Sequence, residues 1–449
     1  MPKKLPPIPD KDQLKLRKTL SAPGLLKNVR NEFEKIPDHR SNTVNYSLPN
    51  VLMSGLAMFG LKCPSLLQFD KIRNEKTIKA NLQKLYGVEQ APSDTQMRDV
   101  LDPVNPEDLR PAFTSVHRQL QRQKVLEDYK YLGGYLVSID GTGQFSSSKV
   151  SCEECCSKKL RNGEKQYYHQ LLGAVIVHPE KSNVLPLFPE AITRQDGQTK
   201  NDCERNASKR LLPAIRQDFP KSKIIIIEDA LASNAPHIRL IEDLSFSYII
   251  VAKPSDHAYL FEKVDENKEN GNLHILEIAD VDGTSRIYHH INNIPLNASN
   301  PDLLVNFLEY WEFKDAKQVY HNTWITDIEL HQDNIYQIMK GGRARWKIEN
   351  ETFNTLKNQG YNLEHNYGHG KQHLSTVLAM LMMLQFLIDQ VQAIACPLFK
   401  AARGRFHSQI QMWDFVRSRF LEHLLPSWEV LFKSIIYGFI PEVIRLDTS

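Results

Sequence analysis

The chain reads as a mixed α/β protein: a sheet whose first strands run antiparallel, with helices on its faces. Three observations predict this. Three strand-like runs follow one another, 131–139 (YLGGYLVSI), 168–177 (YHQLLGAVIV) and 184–192 (VLPLFPEAI). From residue 202 helical and strand-like segments alternate: 202–219, the wholly apolar 223–228 (KIIIIE), 234–244 and 246–252 (FSYIIVA). Two of the strands stop at an aspartate followed by small residues, Asp140-Gly-Thr-Gly and Asp229-Ala-Leu-Ala-Ser. The order β-β-β-α-β-α-β, three adjacent strands and then alternation, calls for a mixed sheet.

The other elements follow in chain order. Residues 1–24 are rich in proline and charge and read as a basic flexible arm. Residues 1–30 carry eight Lys or Arg against two Asp, in a chain whose net charge is only +3. Such an arm is a nucleic-acid candidate or a solvated tail. Residues 25–128 read as helical: 51–61 (VLMSGLAMFGL) is an apolar helix, Pro64 a break, and Ser93-x2-Gln96 a capping-box start. Ser233 is placed as the N-cap of the 234–244 helix. Polar alternation at about 255–335 reads as a β-rich insertion, and helices follow at about 341–360 and 373–395. The domains are then 1–24, 25–128, 129–372 and a C-terminal helical region, 373–449.

At 41% hydrophobic and 24% charged residues, disorder, collagen and coiled-coil classes are excluded. The longest apolar stretch, 374–388, contains Ser375, Thr376 and Gln385 and stops at Asp389. A membrane span needs about 20 apolar residues, so this is a buried helix. The N-terminus is basic without an apolar core, so no signal peptide is read and a cytoplasmic protein is expected.

Asp140 and Asp229 each project from the end of a buried strand into a groove, or else each is a strand-ending turn residue. A third carboxylate lies in the segment Arg345-Trp346-Lys347-Ile348-Glu349-Asn350-Glu351. On a regular helix Trp346, Phe353 and Leu356 mark the apolar face; Glu349 falls about 60° from Trp346 and Glu351 about 140° away. Glu349 is therefore the one facing the sheet, with Arg345 a turn before it and Lys357 on the inner side. Three carboxylates at one sheet edge suit Mg²⁺, which prefers oxygen ligands.

Asp140, Asp229 and Arg345-x3-Glu349 followed by Lys357, with the string WKIENETFNTLKNQGYNLEHNYGHG at 346–370, resemble a DDE-type bacterial insertion-sequence transposase over about residues 25–400. The resemblance implies a ribonuclease-H-like core. It implies Asp140, Asp229 and Glu349 as catalytic ligands of two Mg²⁺ ions (Mn²⁺ substituting), and Arg345 and Lys357 on DNA phosphates. The partners it implies are transposon ends and target DNA, held by a homodimer, with the N-terminal helices reading the ends and the C-terminal helices a candidate dimer contact. A nuclease without strand transfer and an inactive DNA-binding descendant are the alternatives. Two positions depart from the group's Tyr-x2-Arg-x3-Glu-x6-Lys signature: Gly342 stands at the Tyr position, and Lys357 is one residue late. By spacing to Lys357, Glu351 stays open as the acid. Trp324 and Thr326, just before this segment, either line the DNA channel or pack in the core.

Cys152, Cys155, Cys156, His169 and Cys203 form a candidate structural zinc set, since CxxC supplies two soft ligands at suitable spacing. Free cysteines are the alternative. His365, His369 and His373 recur every four residues, but Gly368 and Gly370 break a helix there, so this stretch reads as a loop near the active site and not as a ligand set.

Overall fold

The computed structural model describes residues 18–40, 44–196, 200–280 and 282–438. Most of the expected basic arm, residues 1–17, lies outside them, as do 439–449 of the C-terminal region. From Lys18 the chain is already helical.

A mixed α/β architecture is present. Among the described residues twelve strands form one sheet: β1 (Lys130–Tyr131), β2 (Gly134–Ser147), β3 (Cys156–Lys159), β4 (Lys165–Val177), β5 (Leu185–Pro186), β6 (Glu190–Ile192), β7 (Ile224–Glu228), β8 (Ser247–Val251), β9 (His274–Ala279), β10 (Thr284–Asn297), β11 (Asn300–Lys314) and β12 (Lys317–Thr326). The order across the sheet is β3-β4-β2-β7-β8-β12-β11-β10-β9, with β5 and β6 on β4. β2 and β4 are antiparallel, while β7 lies parallel to both β2 and β8. The four isoleucines of β7 are all buried, as expected for a strand covered on both faces. Each contributes about 1.5–3 kcal/mol of transfer free energy. The helices Lys200–Asp218 and Ala235–Asp243 connect β6 to β7 and β7 to β8.

The β-rich segment is continuous with this sheet. β12 pairs antiparallel with β8, so β9–β12 extend the sheet by four strands. A helix that the alternation did not foretell, Ala258–Glu269, precedes them; only Leu260 and Val264 of its residues are buried. The capping box at Ser93 and Gln96 is formed. At the Ala235–Asp243 helix the cap is Asn234 and not Ser233: Asn234 Oδ1 accepts from the His237 N–H at 3.2 Å.

The apolar helices Leu48–Gly60 and Leu374–Ala395 pack against each other. The second is long and apolar enough to cross a membrane, but 89% of its apolar window is buried inside the protein, and this packing accounts for its composition. C-terminal residues close on the N-terminal helices: Asn81 donates to the carbonyls of Phe420 and His423, and Trp428 to that of Leu85. Between the two long helices lies a buried ion pair, Lys62 to Asp389 at 2.7 Å. The Lys62 ammonium sits 4.0 Å from the ring centres of both Tyr361 and Trp413, and Tyr361 donates to Asp389. Removing one partner strands a buried charge, which typically costs 3–5 kcal/mol, or about that. Asp389→Ala should therefore lose about 3–5 kcal/mol in urea unfolding. The pair Lys62→Met with Asp389→Leu should recover most of it. A loss near the surface-substitution level of about 0.5 kcal/mol would show that the pair does not hold the helices together.

Candidate active site

β2 and β7 set the site. Their parallel pairing runs from Tyr135↔Ile224 to Ser138↔Ile227. Continued two positions, that register puts Asp140 level with Asp229. Asp229 follows the end of β7 as expected, but Asp140 does not end its strand: β2 runs on to Ser147, paired with β4 through Asp140 and beyond. Asp229 is exposed and caps the turn Ala230–Ala232, its Oδ1 accepting the Leu231 N–H at 2.9 Å. Asp140 accepts the Gly141 N–H at 2.8 Å.

Glu349 reaches the same place from the other side. The segment Ile348–Phe353 is a π-helical turn, and the regular-helix angles do not hold along it. Its inner face is Ile348, Thr352, Phe353 and Leu356. Trp346, expected on that face, is 48% exposed and lies under the Arg345 guanidinium at 4.4 Å. The segment is nevertheless seated beside Asp140. Ser138 Oγ donates to the Arg345 carbonyl at 3.0 Å. Phe353 covers Gly173, the β4 residue paired with Asp140. A Cβ on Gly173 would come 2.9 Å from the Phe353 ring, so only glycine lets the segment pack this closely.

The charges are unbalanced. Burial pushes the Asp140 carboxyl up to about 6; Arg345 and the Gly141 N–H oppose this, while Asp229 and Glu349 add to it. Arg345 Nη1 is 3.6 Å from Asp140 Oδ2. Lys357 pairs instead with Glu364 at 2.8 Å. The exposures of the two glutamates are the reverse of the regular-helix expectation, since the turn is π-helical: Glu349 is exposed and Glu351 half-buried.

Sequence reasoning missed a fourth carboxylate. Glu204, on the Lys200–Asp218 helix, lies against Gly141: a Cβ there would be 2.5 Å from Glu204 Oε1. An open groove of about 770 Å³ is lined by Asp140, Glu204 and Asp229 together with the cations Arg205 and Lys253. The glycine after Asp140 was the available sign of that close approach. Behind the groove, Glu228 pairs with His237 at 2.6 Å. Burial pulls the His237 imidazole down, but the Glu228 carboxylate outweighs it and holds it above its ordinary value.

Trp324 and Thr326 are core residues, fully buried, with Thr326 donating to the Tyr248 carbonyl. The departure at Gly342 has the same cause. A Cβ there would lie 2.4 Å from Trp324 Nε1, so the indole fills the space a tyrosine would need.

The sulfur ligands fall differently from expectation. Cys152, Cys155, His169 and His369 bring one donor atom each within 4.8 Å of one another, a group that could hold a metal. Cys156 and Cys203 are not in it. The Cys156 thiol points toward the Ile192 carbonyl at 3.9 Å, and its neighbour is Cys203. His369, read as a plain loop residue, is a member. The loop itself is as expected: His365 packs on Tyr367, and His373 pairs with Glu154 at 3.4 Å.

A carboxyl raised in the folded state is ionised at a cost. That cost is present above pH 6 and disappears as the pH falls toward the unfolded value of about 3.9. Asp140→Asn should therefore stabilise the protein against urea at pH 7.5 without added divalent ions, and lose the advantage near pH 4. An equal effect at both pH values would mean that Asp140 is not held in a charge-hostile site.

No protein-family model matches this chain, and no curated protein matches it either.

Proposed function

We propose that the protein is a DDE-type transposase that cuts transposon ends and joins them to target DNA. The observation that carries this reading is the β2–β7 register, which levels Asp140 with Asp229 while Glu349 bears electrostatically on Asp140. A ribonuclease-H-like core is supported by the strand path β6-β4-β2-β7-β8, antiparallel on one side of β2 and parallel on the other.

The donor set fits magnesium. It is all oxygen, and burial, with a smaller push from the like charges of Asp229 and Glu349, holds Asp140 up against the partial compensation of Arg345. The Cys and His donors suit a structural zinc instead. Two magnesium ions at the carboxylates would supply the Lewis acidity that activates an attacking oxygen and steadies the leaving one at phosphorus. Asp140 and Asp229 would be the rigid ligands, the first held within β2 and the second just past the end of β7, each with an N–H contact. Glu349 closes the set from the helical side. Arg345 partly balances Asp140, and its guanidinium would suit a DNA phosphate at the same place. Arg205 and Lys253 offer the groove's further phosphate contacts. The DNA partner, the cytoplasmic location and a homodimer that pairs two ends belong to this reading. A nuclease that cuts without joining shares its chemistry.

On labelled DNA carrying the element's ends, with Mg²⁺, wild type should cut and transfer strands. Asp229→Ala and Glu349→Ala should each lose about 10³-fold or more in rate, on the scale of removing a term worth several kcal/mol. Glu351→Ala should stay within about tenfold of wild type, less than 1.4 kcal/mol. Cutting without joining would select the nuclease. Loss in Glu351→Ala with activity kept in Glu349→Ala would move the third ligand.

A further inference from the structure

We propose that Cys152, Cys155, His169 and His369 bind one zinc ion, and that this ion clamps the strand pair carrying Asp140 to the loop that returns from Glu349. Only the clamp's relevance to catalysis rests on the transposase reading; the ion's binding does not.

Five of the six distances among the donor atoms are close to those of a tetrahedral site, and the sixth, Cys152 Sγ to His369 Nε2, is within 4.8 Å. Cys152 Sγ and Cys155 Sγ are 3.7 Å apart, and His169 Nε2 and His369 Nε2 are 3.3 Å apart. The mixed contacts are 3.4 Å from each sulfur to His169 and 3.2 Å from Cys155 to His369. Zinc bonds of about 2.3 Å to sulfur and 2.0–2.1 Å to nitrogen give tetrahedral edges of about 3.8 Å for S···S, 3.6 Å for S···N and 3.3 Å for N···N.

Hydrogen bonds alone do not account for the group. His369 Nδ1 lies 3.0 Å from the Gly370 carbonyl, which only accepts, so the ring proton is on Nδ1 and Nε2 presents a lone pair. At most three hydrogens, two from thiols and one from His169, would then serve five short contacts. One cation satisfies all four donors, and the Gly370 contact is the kind of second partner that orients a ligating histidine. Two sulfurs and two nitrogens with no carboxylate select zinc in a closed, structural site.

The four ligands join separate parts of the chain. Cys152 and Cys155 follow β2, His169 is on β4 opposite Phe145, and His369 comes from the loop after the Glu349 segment. Phe145 packs on both imidazoles, with ring centres 6.0 Å and 4.8 Å away. Just beyond His369, the backbone N–H groups of Lys371, Gln372 and Leu374 bond the Asp102 carboxylate of the N-terminal helical region. An ion here fixes the chain beyond Glu349 to the sheet, at the opposite end from the Phe353 contact.

The test is zinc content by elemental analysis of the full chain, with amide hydrogen exchange and DNA cleavage on the same samples. Wild type should carry one zinc per chain. Cys155→Ser and His369→Ala should lose it, and Cys156→Ser, beside the cluster, should keep it. In the two zinc-free variants, exchange across 359–373 should rise about tenfold or more while residues 48–60 stay protected, which separates local release from unfolding. Wild type without zinc would overturn the proposal, as would loss of zinc from Cys156→Ser with retention in His369→Ala. Unchanged exchange across 359–373 in zinc-free protein would overturn the clamp. Strand cleavage by zinc-free wild type would sink this inference and leave the transposase reading standing. One zinc per chain with no cleavage would do the reverse.

Discussion

The parallel register between β2 and β7 is the constraint on which the site depends. Side chains alternate along a strand, so a slip of one residue would turn Asp140 and Asp229 to opposite faces of the sheet. The register is held by burial: Leu136, Val137, Ile225 and Ile226 have no exposed surface. The core that stabilises the fold thus also sets the spacing of the carboxylates.

Around that pair the structure spends stability on charge. Asp140 is partly buried near two other acids, and Arg345 compensates it only in part. A fold selected for stability alone would not leave a carboxyl there with its ionisation opposed. Glycines at 141 and 173 let Glu204 and Phe353 come close enough to shape the site. The contrast with Lys62 and Asp389 is instructive. There a buried charge meets its opposite at 2.7 Å with aromatic rings around it, and the pair joins two helices.

Much of this was legible in the sequence, because some signals are local. The run of isoleucines before Glu228 admits little but a buried strand, and an aspartate at its end is visible without coordinates. The 89 positions between Asp140 and Asp229 are the same offset as Tyr135 to Ile224 in the ladder. Other features are not local. The π-helical turn at Ile348–Phe353 breaks the periodicity on which the helical-face reading relied, so Trp346 was put inside. Glu349 was singled out by its angle from Trp346 and by the Arg345-x3-Glu349 spacing, and its side chain is exposed. The helix Ala258–Glu269 buries two apolar residues and gives little pattern to read. His369 and Cys155 are 214 residues apart, and no spacing rule links them. Gly342 looked like a defect in a motif, and only the buried Trp324 explains it.

The most direct test of the central claim, that these carboxylates form a divalent-cation site, is a manganese titration of the full chain followed by electron paramagnetic resonance. Wild type should bind manganese with an affinity that falls steeply in Asp140→Asn and in Asp229→Asn, and that weakens as the pH is lowered and protons compete for the raised Asp140 carboxyl. Equal manganese binding by all three proteins would contradict the account.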